Sequence, residues 1–353
     1  MPLPTRPSRL GPYEVIAKIA EGGMATIYLG RASEGLGRYR VAALKVIRHD
    51  FGHDETYRRM FLDEAKVLSR LSHPNIAAVY ESGIDEKEHF IAMELVVGRT
   101  LLEVWDACRT RKLQLRVEHA AWIGARVADA LHHAHEQCDE QGESLNIIHR
   151  DVNPSNIFLT FEGEVKLFDF GLAKARGRQS KSKHGIVKGK LPYLSPELVH
   201  QRPIDRRSDI YMLGTTIWEM TTMRRLFQRD TDGDTLMAVK AGLVPDPRAR
   251  SPSYPESLWV VVRRALSRHV EDRYPTAAEF ARELDAFVAA NGGADEMGAR
   301  TSAILDALFP GDREKRAQWL RHASATRAQR ASVPPPVTVR SSGPPPSMPP
   351  GKT

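Results

Sequence analysis

Cysteine is scarce: Cys108 and Cys138 are the only two in 353 residues. Two scattered thiols make no disulfide framework, so a small bridge-held secreted scaffold is excluded and a reducing compartment, the cytoplasm, is expected. No apolar run reaches the ~18 residues of a membrane span, and none is expected. The opening MPLPTRPSRLGP carries prolines and arginines but lacks an apolar h-region, so no secretory signal is expected. Internal repeats are absent. A basic stripe on the folded part is missing too. The net charge is +7, but residues 1–12 hold two arginines and no acid, and residues 291–353 hold nine Lys/Arg against five Asp/Glu. The 40 basic and 39 acidic residues between them nearly cancel, so no nucleic-acid partner is expected. What is present is 41% apolar residues, enough to core one large or two ordinary domains.

Residues 13–48 read as strands: YEVIAKIA and ATIYLG alternate around Gly22-Gly23, and YRVAALKVI is β-rich. Residues 54–71 read as a helix, with Asp54 placed to cap it and Tyr57, Phe61, Glu64, Leu68 and Leu71 on one stripe. NIAAVY and HFIAMELV look like two more strands. From about residue 100 the pattern is mainly helical, broken by short strands around 157–168. TSAILDALF and REKRAQWLRHASA read as short helices after Gly292-Gly293. Eight of the last twenty residues are proline, a composition that cannot bury a core and predicts a disordered, polyproline-like tail.

Several residues point to phosphate chemistry. The turn AEGGMATIY (20–28) joins two strands, and backbone N–H groups of such a turn can cradle phosphates. By itself the signal is weak, since two glycines between strands usually mean a plain hairpin. Lys45 shares a strand face with Val41, Ala43 and Ile47. An ammonium there needs a partner, and Glu64 on the apolar stripe of the next helix is the candidate. In NIIHRDVNPSNIFL, Asp151 can accept a hydroxyl proton. Asn156, with Asp169 of VKLFDFGLA, offers hard oxygen ligands suited to Mg²⁺. Two patterns are set aside. DTDGD (230–234) resembles a calcium loop, but its glycine is misplaced and Ala241 stands where the bidentate acid belongs. His132, His133, His135 and Cys138 crowd one helix end without a second ligand pair.

Taken in order, these residues resemble the eukaryotic-like (Hanks-type) protein kinases, specifically the bacterial serine/threonine kinases, from about Tyr13 to Phe287. AALK matches the lysine strand, HRDVNPSN the catalytic loop, DFG the metal motif and SPE (195–197) the end of the activation segment. Asp209 and Gly214 in SDIYMLG match the following buried helix, and Arg273 in EDRYP the ion-pair partner of Glu197. The resemblance implies an α+β, bilobal protein-kinase-like fold. It has a small β-rich N-lobe with one main helix (13–94), a hinge (95–98) and a larger, mainly helical C-lobe (99–287). An N-terminal extension (1–12), a short helical extension (288–330) and the Pro-rich tail (331–353) flank it.

The resemblance further implies ATP with Mg²⁺, or Mn²⁺ in its place, in the cleft. Ile19, Ala20, Glu21, Gly22 and Gly23 would cover the phosphates. Ile27, Ala43 and Phe158 would sandwich adenine, with Met93 as gatekeeper and Glu94 and Val96 as hinge contacts. Lys45 and Glu64 would align phosphate, Asp151 would be the catalytic base, and Asn156 and Asp169 would hold metal. The acceptors implied are Ser/Thr hydroxyls of protein substrates, in signalling with autophosphorylation, and the Pro-rich tail is expected to bind partners. Ser180 and Ser182 in the basic activation segment are candidate regulatory hydroxyls.

Three departures matter. Ala20 and Ala25 replace loop glycines, Asn153 replaces the catalytic-loop lysine, and Lys190 replaces the threonine of GKLPY. One cation is lost and one gained, which suggests that Lys190 takes over a γ-phosphate contact. Two other classes remain open. A pseudokinase scaffold would most often have lost one of Lys45, Glu64, Asp151, Asn156 or Asp169. A small-molecule phosphotransferase should lack SPE and the Asp209 helix.

Overall fold

The computed structural model describes residues 7–22, 25–35, 38–48, 54–86, 88–170 and 190–324. They fall into two compact units. One holds the described parts of Met1–Arg58, Tyr80–Leu95 and Ala317–Thr353, the other those of Arg59–Val79 and Val96–Arg316.

The first unit is a six-stranded sheet. Its strands are β1 (Arg9–Leu10), β2 (Tyr13–Glu21), β3 (Ala25–Gly35), β4 (Arg38–Ile47), β5 (Val79–Asp85) and β6 (Glu88–Glu94), in the order β1-β2-β3-β4-β6-β5. Alternation decides which face is buried, because successive strand side chains point to opposite faces. On β4, Ala42, Leu44 and Val46 are at most 4% exposed and pack with Leu10, Tyr13 and Phe90. Lys45 is on the opposite face, half-buried with Val41 beside the buried Ala43 and Ile47. That face is apolar but only partly buried at Val41 and Lys45, which suits an ammonium with a buried stem. The sheet starts at Arg9, whose strand pairs with β2 and buries Leu10.

α1 (Glu55–Leu68) buries Phe61, Ala65 and Leu68. The stretch NIAAVY becomes a strand only at Val79. Before that, Asn75 O accepts from Leu167 N (2.8 Å) and Ala77 N donates to Leu167 O (3.1 Å), so the backbone is committed elsewhere.

In the second unit a three-stranded sheet runs β7 (Gly98–Thr100), β8 (Ile157–Thr160), β9 (Val165–Leu167). A Cβ on Gly98 would stand 2.1 Å from Leu159 O, so β7 can lie against β8 only with glycine there. α2 (Leu101–Thr110) follows at once, started by a capping box. Thr100 Oγ1 accepts from Glu103 N (3.1 Å) and Glu103 accepts from Thr100 N (2.8 Å). α3 (Val117–His135) buries thirteen of its nineteen residues and lies in the core of the unit. The unit also holds α4 (Pro196–Val199), α5 (Arg207–Thr222), α6 (Asp232–Ala241), α7 (Glu256–Ala265), α8 (Ala277–Ala290), α9 (Met297–Leu308) and the first turn of α10 (Asp312–Ser324). A sheet-rich unit followed by a mainly helical one is the α+β architecture read from the pattern. The Pro-rich stretch 331–353 lies outside the described residues.

Candidate active site

The loop 149–156 is held from below by a carboxylate far away in sequence. Asp209, in the first turn of α5, is fully buried. It accepts from His149 N and Arg150 N, each at 2.8 Å, and from His135 Nε2 at 2.8 Å. Hydrogen bonds to an ionised acceptor are the strong ones, so two consecutive loop amides are fixed. His149 Nδ1 accepts from Asp151 N (3.2 Å), which puts the ring proton on Nε2, donating to Phe168 O (3.0 Å). Burial pushes the pKa of His149 below its ordinary value, so the ring is neutral and works as a rigid spacer between 149–151 and 168–170. Arg150 (φ +64°) and Asp169 (φ +53°) both take the left-handed backbone conformation. It costs a non-glycine residue about 1–3 kcal/mol and persists only where surroundings enforce it.

The Asp151 carboxylate is 7% exposed. Lys190 Nζ lies 2.5 Å from Oδ2, with Asn156 Nδ2 at 3.2 Å from the same oxygen and Asn153 Nδ2 at 3.3 Å from Oδ1. The same two amides donate to Asp151 O at 2.7 Å (Asn153) and 2.8 Å (Asn156). Asn153 Oδ1 accepts from Ser155 N at 2.9 Å. Asn153 therefore braces the loop, and the cation beside the acid comes from Lys190, 39 positions later.

Lys190 is itself anchored. It opens the 3₁₀ turn Leu191–Tyr193, with Tyr193 N donating to its carbonyl at 3.2 Å. Tyr193 OH donates to Glu219 Oε2 (2.7 Å), which also receives Arg225 Nη1 (2.8 Å), while Leu226 N donates to Oε1 (2.9 Å). The Arg225 guanidinium lies 4.1 Å from the Trp105 ring centre. Burial and the Glu219 charge push the Tyr193 phenol well above its ordinary pKa, so it stays a donor. Downstream, Arg273 forks onto Glu197 at 2.8 and 2.9 Å, and Ser208 Oγ adds a bond to Oε1. Desolvation raises the Glu197 pKa, but the Arg273 pairing and its hydrogen bonds outweigh it and hold the carboxyl below the usual range. Sequence reading missed the Glu219–Tyr193–Arg225 cluster, because its members have no spacing signature.

Asn156 N donates to Asn153 O (3.0 Å), and Asn156 O accepts from Phe168 N (2.9 Å), so Asn156 and Asp169 stand on adjoining segments. With its NH₂ engaged by Asp151, Asn156 keeps its carbonyl oxygen as the group able to ligate a cation. Asp169 is exposed. Those two oxygens are a donor set that fits a hard divalent ion. Phe158 is half-buried, its ring 4.6 Å from that of Phe168. In the same unit, Val96 is half-buried.

The sheet unit carries the other candidates. Gly22 N donates to Ala25 O (2.8 Å), closing the turn between β2 and β3. Gly23 lies outside the described residues. Ile19, Ala20 and Ile27 are half-buried, and Glu21 is exposed beside Lys18 and Arg48. Lys45 is opposite Ile27 and Ile91, and Ala43 opposite Met93. Ala43 and Met93 are buried, and Glu94 is half-buried. The side chain of Glu64 lies outside the described residues, as do Ser180 and Ser182. Among the described residues no three His, Cys, Asp or Glu form a metal-binding group, and none of these helices is long and apolar enough to cross a membrane. His135 Nε2 is bonded to Asp209, and DTDGD is a helix start capped by Thr231.

A model of the protein kinase domain matches residues 13–283. Tyrosine-protein kinase MasK of Myxococcus xanthus is 36% identical over 82% of this chain and 45% of its own length. Serine/threonine-protein kinase PrkC of Bacillus subtilis is 31% identical over 78% of this chain and 40% of its own. The chain thus spans less than half the length of these curated relatives. Among solved structures, the kinase domain of PknI from Mycobacterium tuberculosis is 28% identical with a TM-score of 0.58, covering 79% of this chain and 97% of that one.

Proposed function

We propose, for a chain that belongs to the protein kinase family, that it is an active serine/threonine kinase whose catalytic cation has moved from the catalytic loop to the activation segment. Family membership implies ATP, a divalent cation and protein substrates. The finer assignments are Mg²⁺ on Asn156 and Asp169, with Mn²⁺ able to replace it, and Lys45 on phosphate with Glu64 as its partner. Adenine is assigned to Ile27, Ala43, Met93, Glu94, Val96 and Phe158, and the phosphates to residues 19–23. A divalent cation held by Asn156 and Asp169 would supply positive charge that offsets charge on the transferring group. Asp151 orients the acceptor hydroxyl and takes its proton. Its two oxygens are held by Asn153 and Asn156, so the carboxylate enters the reaction already aimed. Lys190 supplies positive charge at the carboxylate and at the incoming phosphoryl group, where preorganised charge has most effect. Signalling in the cytoplasm, with autophosphorylation, is the setting we assign.

The single observation that carries the reading is the Lys190–Asp151 contact beside an asparagine that only braces. A scaffold without activity would have no need of it. One finding favours a second acceptor class: the 36% identical relative is named a tyrosine kinase. Incubation with Mg²⁺ and γ-labelled ATP, wild type against Asp151→Asn, followed by phosphoamino-acid analysis, tests both. Phosphoserine and phosphothreonine lost in the variant support the proposal. Phosphotyrosine alone would give the tyrosine reading, and equal labelling in both proteins would overturn the catalytic assignment.

A further inference from the structure

The terminal helices lie beyond the segment that the kinase model matches, which ends at residue 283. They nonetheless make polar contacts that converge on two places. The first is the carbonyl of Phe161, just past β8. It accepts from Ser302 Oγ (2.7 Å) and from Arg313 Nη2, and Arg313 Nη2 also donates to Ser302 Oγ (2.7 Å). Asp306 fixes the Arg313 fork, at 3.0 Å from Nε and 3.0 Å from Nη2. Phe161 N in turn donates to Val97 O (3.1 Å). The second is Arg99 on β7, which pairs with Asp312 and with Glu103 (2.6 Å) and lies 4.7 Å over the Phe309 ring.

Two further features show that this docking is built into the backbone. Gly163 has φ +90°, and a Cβ on it would stand 2.1 Å from Gly298 O. Arg111 donates to Ala307 O (2.8 Å) and Leu308 O (2.6 Å), satisfying the end of α9, where helical carbonyls lack partners. Met297, Thr301, Leu305 and Leu308 are at most 4% exposed.

The plain alternative is a helix pair that merely covers an apolar patch. The polar contacts argue otherwise, because they fall on β7 and at the end of β8, next to the proposed nucleotide contacts Val96 and Phe158. β7 follows Val96 and Val97 directly, and β8 begins just after Asn156 and includes Phe158, with Thr100 opposite Phe158 and Arg99 opposite Leu159. Phe161 and Arg99 are joined to the Val97 segment and to the neighbours of Phe158 by backbone hydrogen bonds of the β7–β8 pair.

We infer that α9 and the first turn of α10 are a latch on β7–β8, with Arg313 and Arg99 as positioning residues that set nucleotide affinity. The inference rests on the kinase reading, and its test separates the two. Arg313 is 36% exposed, so Arg313→Ala can be made without emptying the core, and Ser302→Ala is a milder companion. Direct binding of ATP to the full chain, with KM and kcat, should show affinity weakened about 3- to 10-fold in Arg313→Ala, within the range by which non-contact residues modulate binding. KM for ATP should rise in step, and kcat at saturating ATP should stay the same. Arg313→Lys should recover part of the loss, since it can still donate to Phe161 O but cannot fork onto Asp306. If Arg313→Ala fails to fold, Ser302→Ala must show the same split in smaller measure. Wild-type affinity in folded variants overturns the latch alone. A wild-type chain that binds no ATP overturns the kinase reading and the latch together.

Discussion

Replacing Lys190 with threonine removes the cation that touches Asp151 and restores the residue expected at that place. The ground-state cost should be small. Two charges about 4 Å apart attract by about 4 kcal/mol at an effective dielectric near 20, and more when closer, but desolvation and side-chain ordering take back most of that for a partly exposed pair. Lys190 is 30% exposed, and Asp151 keeps its bonds from Asn153 and Asn156, so the melting temperature should hardly move. The rate should move far more, because a charge aimed at the transferring phosphoryl acts in the transition state. Loss of one such preorganised group costs about 2.7–4 kcal/mol, or ~10²–10³ in kcat. Adding Asn153→Lys to Lys190→Thr should recover at least about tenfold, since residues sharing a partner are non-additive. Recovery should be incomplete. Asn153 Oδ1 accepts from Ser155 N, and lysine cannot accept, so about 1 kcal/mol of loop bracing is lost. In the wild-type background Asn153→Lys should give no gain, because Lys190 already occupies the acid. The assay is kcat at saturating ATP with a generic protein substrate. Near-wild-type kcat in Lys190→Thr, or an Asn153→Lys effect identical in both backgrounds, refutes the relocated-charge reasoning.

Arg273→Ala should destabilise the fold by about 3–5 kcal/mol, the usual cost of stranding one partner of a buried pair, because Glu197 would keep only Ser208 at its carboxylate. A shift in the urea midpoint measures it, and Arg273→Lys should restore only part, having no fork. Stability should fall as pH drops through about 6.5, the ordinary histidine value. His149 and His119 are buried with pKa values pushed down, mainly by burial, so the unfolded chain takes up protons that the folded one refuses. The folding free energy should be flat with respect to these groups above about pH 7.5 and decline by up to about 1.4 kcal/mol per pH unit for each such histidine below it. Equal unfolding free energies at pH 7.5 and 5.5 would refute this. A chain ending at residue 330 should keep its turnover, since the docking contacts described here end before it, and a large loss would show that the proline-rich tail acts on catalysis.

Much of the site is legible because catalysis needs residue types close together in sequence. His149, Asp151 and Asn156 lie within one loop, and Asp169 follows a strand of three residues, Val165–Leu167. The helices are legible where one stripe is apolar, as in α1 and α9, since periodicity reports which face of an element is buried. It does not report what covers that face. The pattern placed a strand on NIAAVY, but Asn75 and Ala77 are bonded to Leu167, and that bridge delays the strand to Val79. It put Lys45 on an apolar face with Val41, Ala43 and Ile47, and Ala43 and Ile47 are buried there, but it could not tell that the Leu44 face of β4 is buried as well.

By itself the sequence determined the order of the strands and helices, the identity of the catalytic-loop residues, and the fact that one cation is missing there and one is added in the activation segment. Only the tertiary structure decided that Lys190 reaches Asp151, that Asp209 carries the loop amides of His149 and Arg150, and that Phe161 and Arg99 hold the terminal helices. The reason is physical. Local propensity and periodicity act over a few residues, whereas these contacts join groups 39 to 213 positions apart. Several end on backbone carbonyls or amides, which every residue possesses and no side-chain pattern can mark.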